Sequence, residues 1–188
     1  MKKIIIGLGN PGFEYAQTRH NAGFMFLDFL QEEFGLNSFS EKQKHKASLS
    51  LNHGFVLVKP LTYMNLSGEA VASVLRYYNE TADNAAKIVQ QQILVAHDDL
   101  DIELGEYKVQ FGVGPRDHRG LLSIYQHLDT NQFWHIRIGV DGRRGSRLIP
   151  ADRYVLQQFS TDSLDLLQSV FNKIVENLRQ KELFINQS

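Results

Sequence analysis

Residues 7–24 read GLGNPGFEYAQTRHNAGF and follow the apolar run KKIII at 2–6. A β-branched run that meets a Gly/Asn/Pro cluster reads as a buried strand ending in a loop. The loop opens as G-x-G-x-x-G, the glycine spacing of dinucleotide sites. Such a site also needs a helix that begins inside the motif and an acidic residue about 20 positions on, at the end of a second strand. Here Pro11 precedes the last glycine, and Glu32 and Glu33 fall inside a helical pattern instead. Gly7, Gly9 and Gly12 therefore read as a tight turn that lets another segment approach the backbone. The stretch also carries His20 between Arg19 and Asn21, which a phosphate loop does not require.

Working outward, Phe24, Leu27, Leu30 and Phe34 fall at helical spacing. Residues 46–60 alternate twice around Asn52-His53-Gly54, which predicts a hairpin whose second strand closes at Pro60. Ser67 reads as the N-cap of a helix with the stripe Ala70, Val71, Val74, Leu75 and Tyr78. Strands are expected at 93–96 and within 106–113, and a short helix at 121–128. At 134–140, Trp134, Ile136, Ile138 and Val140 alternate with His135, Arg137 and Gly139, which predicts a half-buried strand. Leu164, Leu167, Val170, Phe171, Ile174, Val175 and Leu178 mark a long amphipathic C-terminal helix. Strands interleaved with helices predict an α/β fold: a single domain over 1–188 with a twisted, mixed, mostly parallel sheet flanked by helices. Ligand sites in such sheets gather beyond the carboxyl ends of strands, where Asn10, Asn65 and Asp98 fall.

The chain has 188 residues, 43% hydrophobic and 22% charged, enough for one domain with a real core. It contains no cysteine, which excludes a thiol nucleophile, a zinc–thiolate site and a disulfide framework. No stretch approaches the ~20 apolar residues of a membrane span, and the N-terminal apolar run is too short for a signal peptide; a cytoplasmic location is expected. A net charge of −1 excludes an indiscriminate polycation. Contacts to phosphate must come from local clusters, of which KQKHK (42–46), RDHR (116–119) and GRRGSR (142–147) are candidates.

For chemistry, His20 and Asp98 are the candidate catalytic pair. A carboxylate at the end of a buried strand can fix the tautomer of an imidazole that activates water. Asn10 and Asn65 can both donate and accept, which suits them to hold a carbonyl or a water. HDDLDIE at 97–103 brings Asp98, Asp99, Asp101 and Glu103 into consideration for magnesium. The alternation of Asp99, Asp101 and Glu103 fits a solvated strand edge or loop equally well, and neither a metal nor a cofactor is expected.

GLGNPGFEYAQTRHNAGF, VKPLTYMNLSGEAV (58–71), ILVAHDDLD (93–101) and GSRLIPADRYVLQQF (145–159) occur in the order seen in bacterial peptidyl-tRNA hydrolases. The chain resembles that family over nearly its whole length. The resemblance implies a cytoplasmic, monomeric, metal-independent hydrolase that cuts the ester joining a peptide to the 3′ ribose of tRNA. It implies His20 as general base and Asp98 as its orienting group. Asn10 and Asn65 would position the substrate, with Tyr15 and Met64 lining the site. Lys108 and Arg137 would meet tRNA phosphate. The implied partner is peptidyl-tRNA, held through its acceptor stem.

The sequence departs from the family at 112–120, where GVGPRDHRG stands in place of the glycine-rich GGHGGHNG. His118 and Gly120 are kept, but an asparagine that helps hold substrate and water becomes Arg119. The phosphate-binding lysine two residues after Lys108 is Gln110. A guanidinium beside His20 would disfavour imidazolium, and Pro115 would stiffen the loop. Arg116 and Arg119 can supply phosphate or substrate contacts in compensation, or Asp117 can pair with one of them on the surface. A second functional reading is therefore open, that of a relative that binds tRNA or another acylated ligand but hydrolyses it weakly or not at all.

Overall fold

The structure, a computed structural model, describes residues 3–79, 92–143, 145–146 and 148–184. Arg144 and Arg147 of the basic cluster at 142–147 lie outside the described residues. The strands are β1 (Lys3–Gly7), β2 (Ser40–Lys42), β3 (Ala47–Leu51), β4 (Phe55–Pro60), β5 (Ile93–Glu103), β6 (Tyr107–Phe111) and β7 (Trp134–Asp141). The helices are α1 (Ala22–Glu33), α2 (Ser67–Asn79), α3 (Arg119–Leu128), α4 (Ala151–Tyr154) and α5 (Thr161–Gln180). One seven-stranded sheet runs β2-β3-β4-β1-β5-β7-β6. The four central strands β4, β1, β5 and β7 are parallel; β3 and β6 pair antiparallel to β4 and β7, and β2 pairs antiparallel to β3 at the edge. This is the expected α/β fold, with a mixed, mostly parallel sheet flanked by helices.

Strand periodicity sorts the apolar residues onto two faces. Ile5, Leu57, Leu94, Ile136 and Ile138 face α1 and α5, where Phe26, Phe29 and Phe171 fill the layer. Ile4, Ile6, Val56, Val58, Ile93 and Val95 face α2 and α3. The glycine pattern of residues 7–12 serves the first layer. A Cβ on Gly7 would lie 2.4 Å from the Gly23 carbonyl oxygen. Phe24 N donates to Leu8 O at 3.2 Å, so the start of α1 rests directly on the end of β1. The segment that approaches the glycines is the protein's own helix. That helix begins at Ala22, well past Gly12, and Glu32 and Glu33 are exposed near its end, so the dinucleotide reading has no support.

Three local expectations are corrected. Ser67 is the first residue of α2 and does not cap it; its hydroxyl donates to Met64 O at 2.8 Å. The strand expected at 93–96 continues to Glu103, and Asp99 is buried where a solvated edge was expected. The seventh strand is buried on both faces: Ile136, Ile138 and Val140 join the layer under α1 and α5, while on the other face His135 packs on Phe133 and Tyr125 and Arg137 binds Asp99 and Gln110. The hairpin at 46–60 and the long C-terminal helix are as expected.

Candidate active site

β1 ends at Gly7, in register with Ala96 of β5, so His97, Asp98 and Asp99 run on beyond the end of β1. The loop carrying Asn10, the turn at Arg19–Asn21 and the turn at Met64–Leu66 converge on that step. They border a cleft of about 1180 Å³ lined by Asn10, His20, Met64, Asn65, Asp98, Arg116, Arg119 and Arg137 among others.

His20 Nδ1 donates to Asp98 Oδ1 at 2.8 Å, which leaves Nε2 as its uncommitted nitrogen. Burial pushes the His20 pKa down, but the charge and hydrogen bond of Asp98 outweigh it; Arg119 opposes, and the net direction is up. The weakening expected from a guanidinium beside His20 is therefore present but overruled by the carboxylate. Asp98 is itself buried, which favours its neutral form, yet the imidazoles of His20 and His118 hold it well below the usual carboxylate range.

The residues flanking His20 position its turn. Asn21 grips the loop through two bonds, accepting from Asn10 N at 2.9 Å and donating to Asn10 O at 3.0 Å. Arg19 Nη1 donates to Gln157 O and Gln158 O, and its guanidinium carbon lies 4.3 Å from the centre of the Tyr154 ring. His20 N donates to Val155 O at 2.8 Å, so the segment that lines the cleft with Val155 and Leu156 also fixes the base.

Asn10 Oδ1 accepts from Met64 N at 2.8 Å, which commits its acceptor and leaves the Nδ2 donor for a ligand. Met64 is buried against α3, where a Cβ on Gly120 would lie 2.5 Å from its sulfur; only glycine allows that approach. Asn65 is exposed in the cleft, and its carboxamide has no partner among the described residues. Tyr15 is not among the lining residues; its carbonyl accepts from Thr18 N and Thr18 Oγ1.

Arg137 is buried with two of its nitrogens committed, Nε to Asp99 Oδ2 and Nη1 to Gln110 Oε1, each at 2.7 Å. Lys108 of β6 pairs in register with it, is exposed, makes no hydrogen bond or ion pair among the described residues, and lies outside the cleft lining. Arg116 and Arg119 are exposed on the cleft wall, and no ion pair joins either to Asp117 among the described residues. The carboxylates considered for magnesium do not converge. Asp99 is held by Arg137, and among the described residues the one cluster of metal-ligand type is His20, Asp98 and His118. In that cluster the ring nitrogens facing Asp98 are engaged in hydrogen bonds with it.

Sequence reasoning left Arg19, Asn21 and His118 without a role. The first two were visible only as neighbours of His20. The partners that give them meaning lie far along the chain or on another loop.

Residues 4–186 match the family model described as peptidyl-tRNA hydrolase. The peptidyl-tRNA hydrolase of Rickettsia bellii (strain OSU 85-389) is 42% identical over 178 residues, covering 93% of this chain and 90% of that protein. That of Mycoplasmopsis agalactiae is 36% identical over 174 residues, covering 93% and 86%. The crystal structure of peptidyl-tRNA hydrolase from Acinetobacter baumannii superposes with a TM-score of 0.79 at 33% identity, over 95% of this chain and 87% of that one.

Proposed function

The chain belongs to the peptidyl-tRNA hydrolase family, and we propose on that footing how its residues cleave the ester between a peptide and the 3′ ribose of tRNA, recycling the tRNA. The observation that carries the mechanism is the His20–Asp98 hydrogen bond in the wall of the cleft. Asp98 fixes the tautomer with the proton on Nδ1. Nε2 takes a proton from water as the water oxygen attacks the ester carbonyl carbon. The adduct collapses with cleavage of the bond between that carbon and the 3′ oxygen, which recovers the proton from imidazolium. The products are a free peptide and a tRNA with its 3′ hydroxyl restored. Positioning supplies much of the acceleration, since held reactants reach effective molarities of about 10⁵ M or more.

Asn10 donates from Nδ2 and Asn65 from its free carboxamide to the peptide and ester groups, Met64 walls the pocket, and Arg119 contacts the substrate beside the base. Tyr15 contributes through the shape of its loop. Lys108, Arg116 and the remaining nitrogen of Arg137 meet phosphates of the acceptor stem. Contacts of this kind to backbone phosphate carry no sequence information, which suits an enzyme that must accept any tRNA. The reading assigns no part to a metal or cofactor. It places the protein in the cytoplasm as a monomer, with residues 1–188 acting as one domain. Among the described residues no helix is long and apolar enough to cross a membrane. The comparisons favour this reading over a binding relative with little hydrolase activity.

The test is incubation of wild-type protein with peptidyl-tRNA, followed by recharging of the released tRNA with its amino acid. Release of peptide together with a rechargeable tRNA is expected. Tight tRNA binding without release would overturn the reading.

A further inference from the structure

Asp98 Oδ1 is shared. His118 Nε2 donates to it at 2.9 Å, beside the 2.8 Å bond from His20, and the two rings lie 5.0 Å apart, centre to centre. The His118 tautomer is set by the helix it caps: Leu121 N donates to His118 Nδ1 at 3.4 Å, so Nδ1 is the acceptor and the proton sits on Nε2. His118 is buried, and behind it His97 packs edge-on at 5.3 Å, which leaves the ring little room to turn. His118 also ends the loop 112–118, whose Arg116 and Asp117 line the cleft.

A carboxylate with one ring on it can rotate to follow that ring. A carboxylate with two donors on one oxygen is held from both sides. We propose that His118 is a positioning residue of the hydrolytic step: its Nε2–H locks Asp98 in the orientation that presents Oδ1 to His20, and it anchors the substrate-facing loop to the catalytic base. This rests on the proposed hydrolysis for its kinetic part only. His118 also shares the negative charge that His20 depends on, and the other charged group facing His20 is Arg119. Losing His118 leaves the whole of Asp98 to His20, so the imidazolium of His20 becomes easier to form.

The experiment compares wild type, His118→Ala and His118→Gln, the last because its carboxamide NH₂ can replace the lost donor. Two readouts are taken on the full chain: steady-state peptide release, and the His20 titration followed by NMR of its ring proton. His118→Ala is expected to lower kcat on the order of 10- to 100-fold with KM little changed, since misplacement by about 1 Å can cost that much. Its His20 midpoint moves upward, and His118→Gln restores part of both. Unchanged kcat and His20 midpoint in His118→Ala overturn the proposal. So does a loss confined to KM, or equal loss in both variants. If the wild type releases no peptide, the hydrolase reading fails, yet the His20 midpoint still decides whether His118 acts on the pair.

Discussion

Gly23 at the start of α1 is pressed against the strand that carries Asp98: a Cβ built on it would lie 2.3 Å from the Ala96 carbonyl oxygen and 2.5 Å from Leu8 N. Both are backbone atoms of central strands or their ends, so neither can yield cheaply. Gly23→Ala is expected to destabilise the protein by about 3 kcal/mol, at the upper end of overpacking costs. The readout is the urea midpoint at unchanged slope. Because His20 lies just before α1, peptide release should fall with it. A midpoint matching the wild type would mean that the helix does not rest on the strand as described.

The buried Arg137–Asp99 pair separates a structural cation from a functional one. Removing Arg137 leaves Asp99 charged and buried, so Arg137→Ala should cost about 3 kcal/mol or more in addition to any loss of tRNA binding. Arg137→Lys should recover little, because one ammonium cannot reproduce bonds from two guanidinium nitrogens to Asp99 and Gln110. Lys108→Ala should leave the melting temperature alone. It should weaken tRNA binding and lower the slope of log affinity against log salt by about 1. An unchanged salt slope would remove Lys108 from the phosphate contacts.

Much of this arrangement was open to reading along the chain. The apolar periodicities of α1, α2 and α5 and of β1, β3 and β4 are local, and they appear where expected. β5 runs on past its apolar start at 93–96, because His97, Asp98 and Asp99, which break the apolar run, are buried in the strand. Their burial depends on His118, His20 and Arg137, partners that no local pattern reveals. The same holds for His135 and Arg137 on β7, which read as a solvent face. Within the site, His20, Asp98, Asn10, Asn65 and Met64 come together, since each follows or extends a central strand or lies on a loop beside one. Tyr15 and Lys108 fall outside the cleft lining. The clamp by Asn21 and the sharing of Asp98 are three-dimensional facts without a sequence signature.

Two buried histidines give the fold an acid limit. His97 Nδ1 donates to Asp98 O and its Nε2 accepts from His135 Nδ1, so the His97 ring is held neutral. Burial lowers His135 to about 4 and His97 well below its ordinary value. Unfolded histidines titrate near 6.5, so the unfolded chain gains protons first as pH falls. Stability should therefore be full above about 6.5 and drain away between about 6.5 and 4, His135 alone accounting for roughly 3 kcal/mol. His20 has the opposite sign: its raised pKa adds stability below about 6.5 that is lost as pH rises through the folded value. Denaturant titrations across this range would test the point. His135→Phe should flatten the acid side, and an unaltered acid profile would contradict the assignment.

Activity should follow the neutral form of His20, so the acid limb of kcat/KM is expected above the ordinary imidazole value. Arg119→Asn removes the charge that opposes protonation. The limb should then move to higher pH, and turnover on its alkaline side should rise because the base is stronger. A pH profile that does not move would place Arg119 away from the base.

The most direct test of the account is single-turnover peptide release by His20→Ala measured beside the wild type, with tRNA affinity measured on both. Loss of general-base assistance is expected to slow release by about 10²- to 10⁴-fold while tRNA affinity stays near the wild-type value. Release by His20→Ala at the wild-type rate would contradict the assignment of the imidazole held by Asp98 as the base.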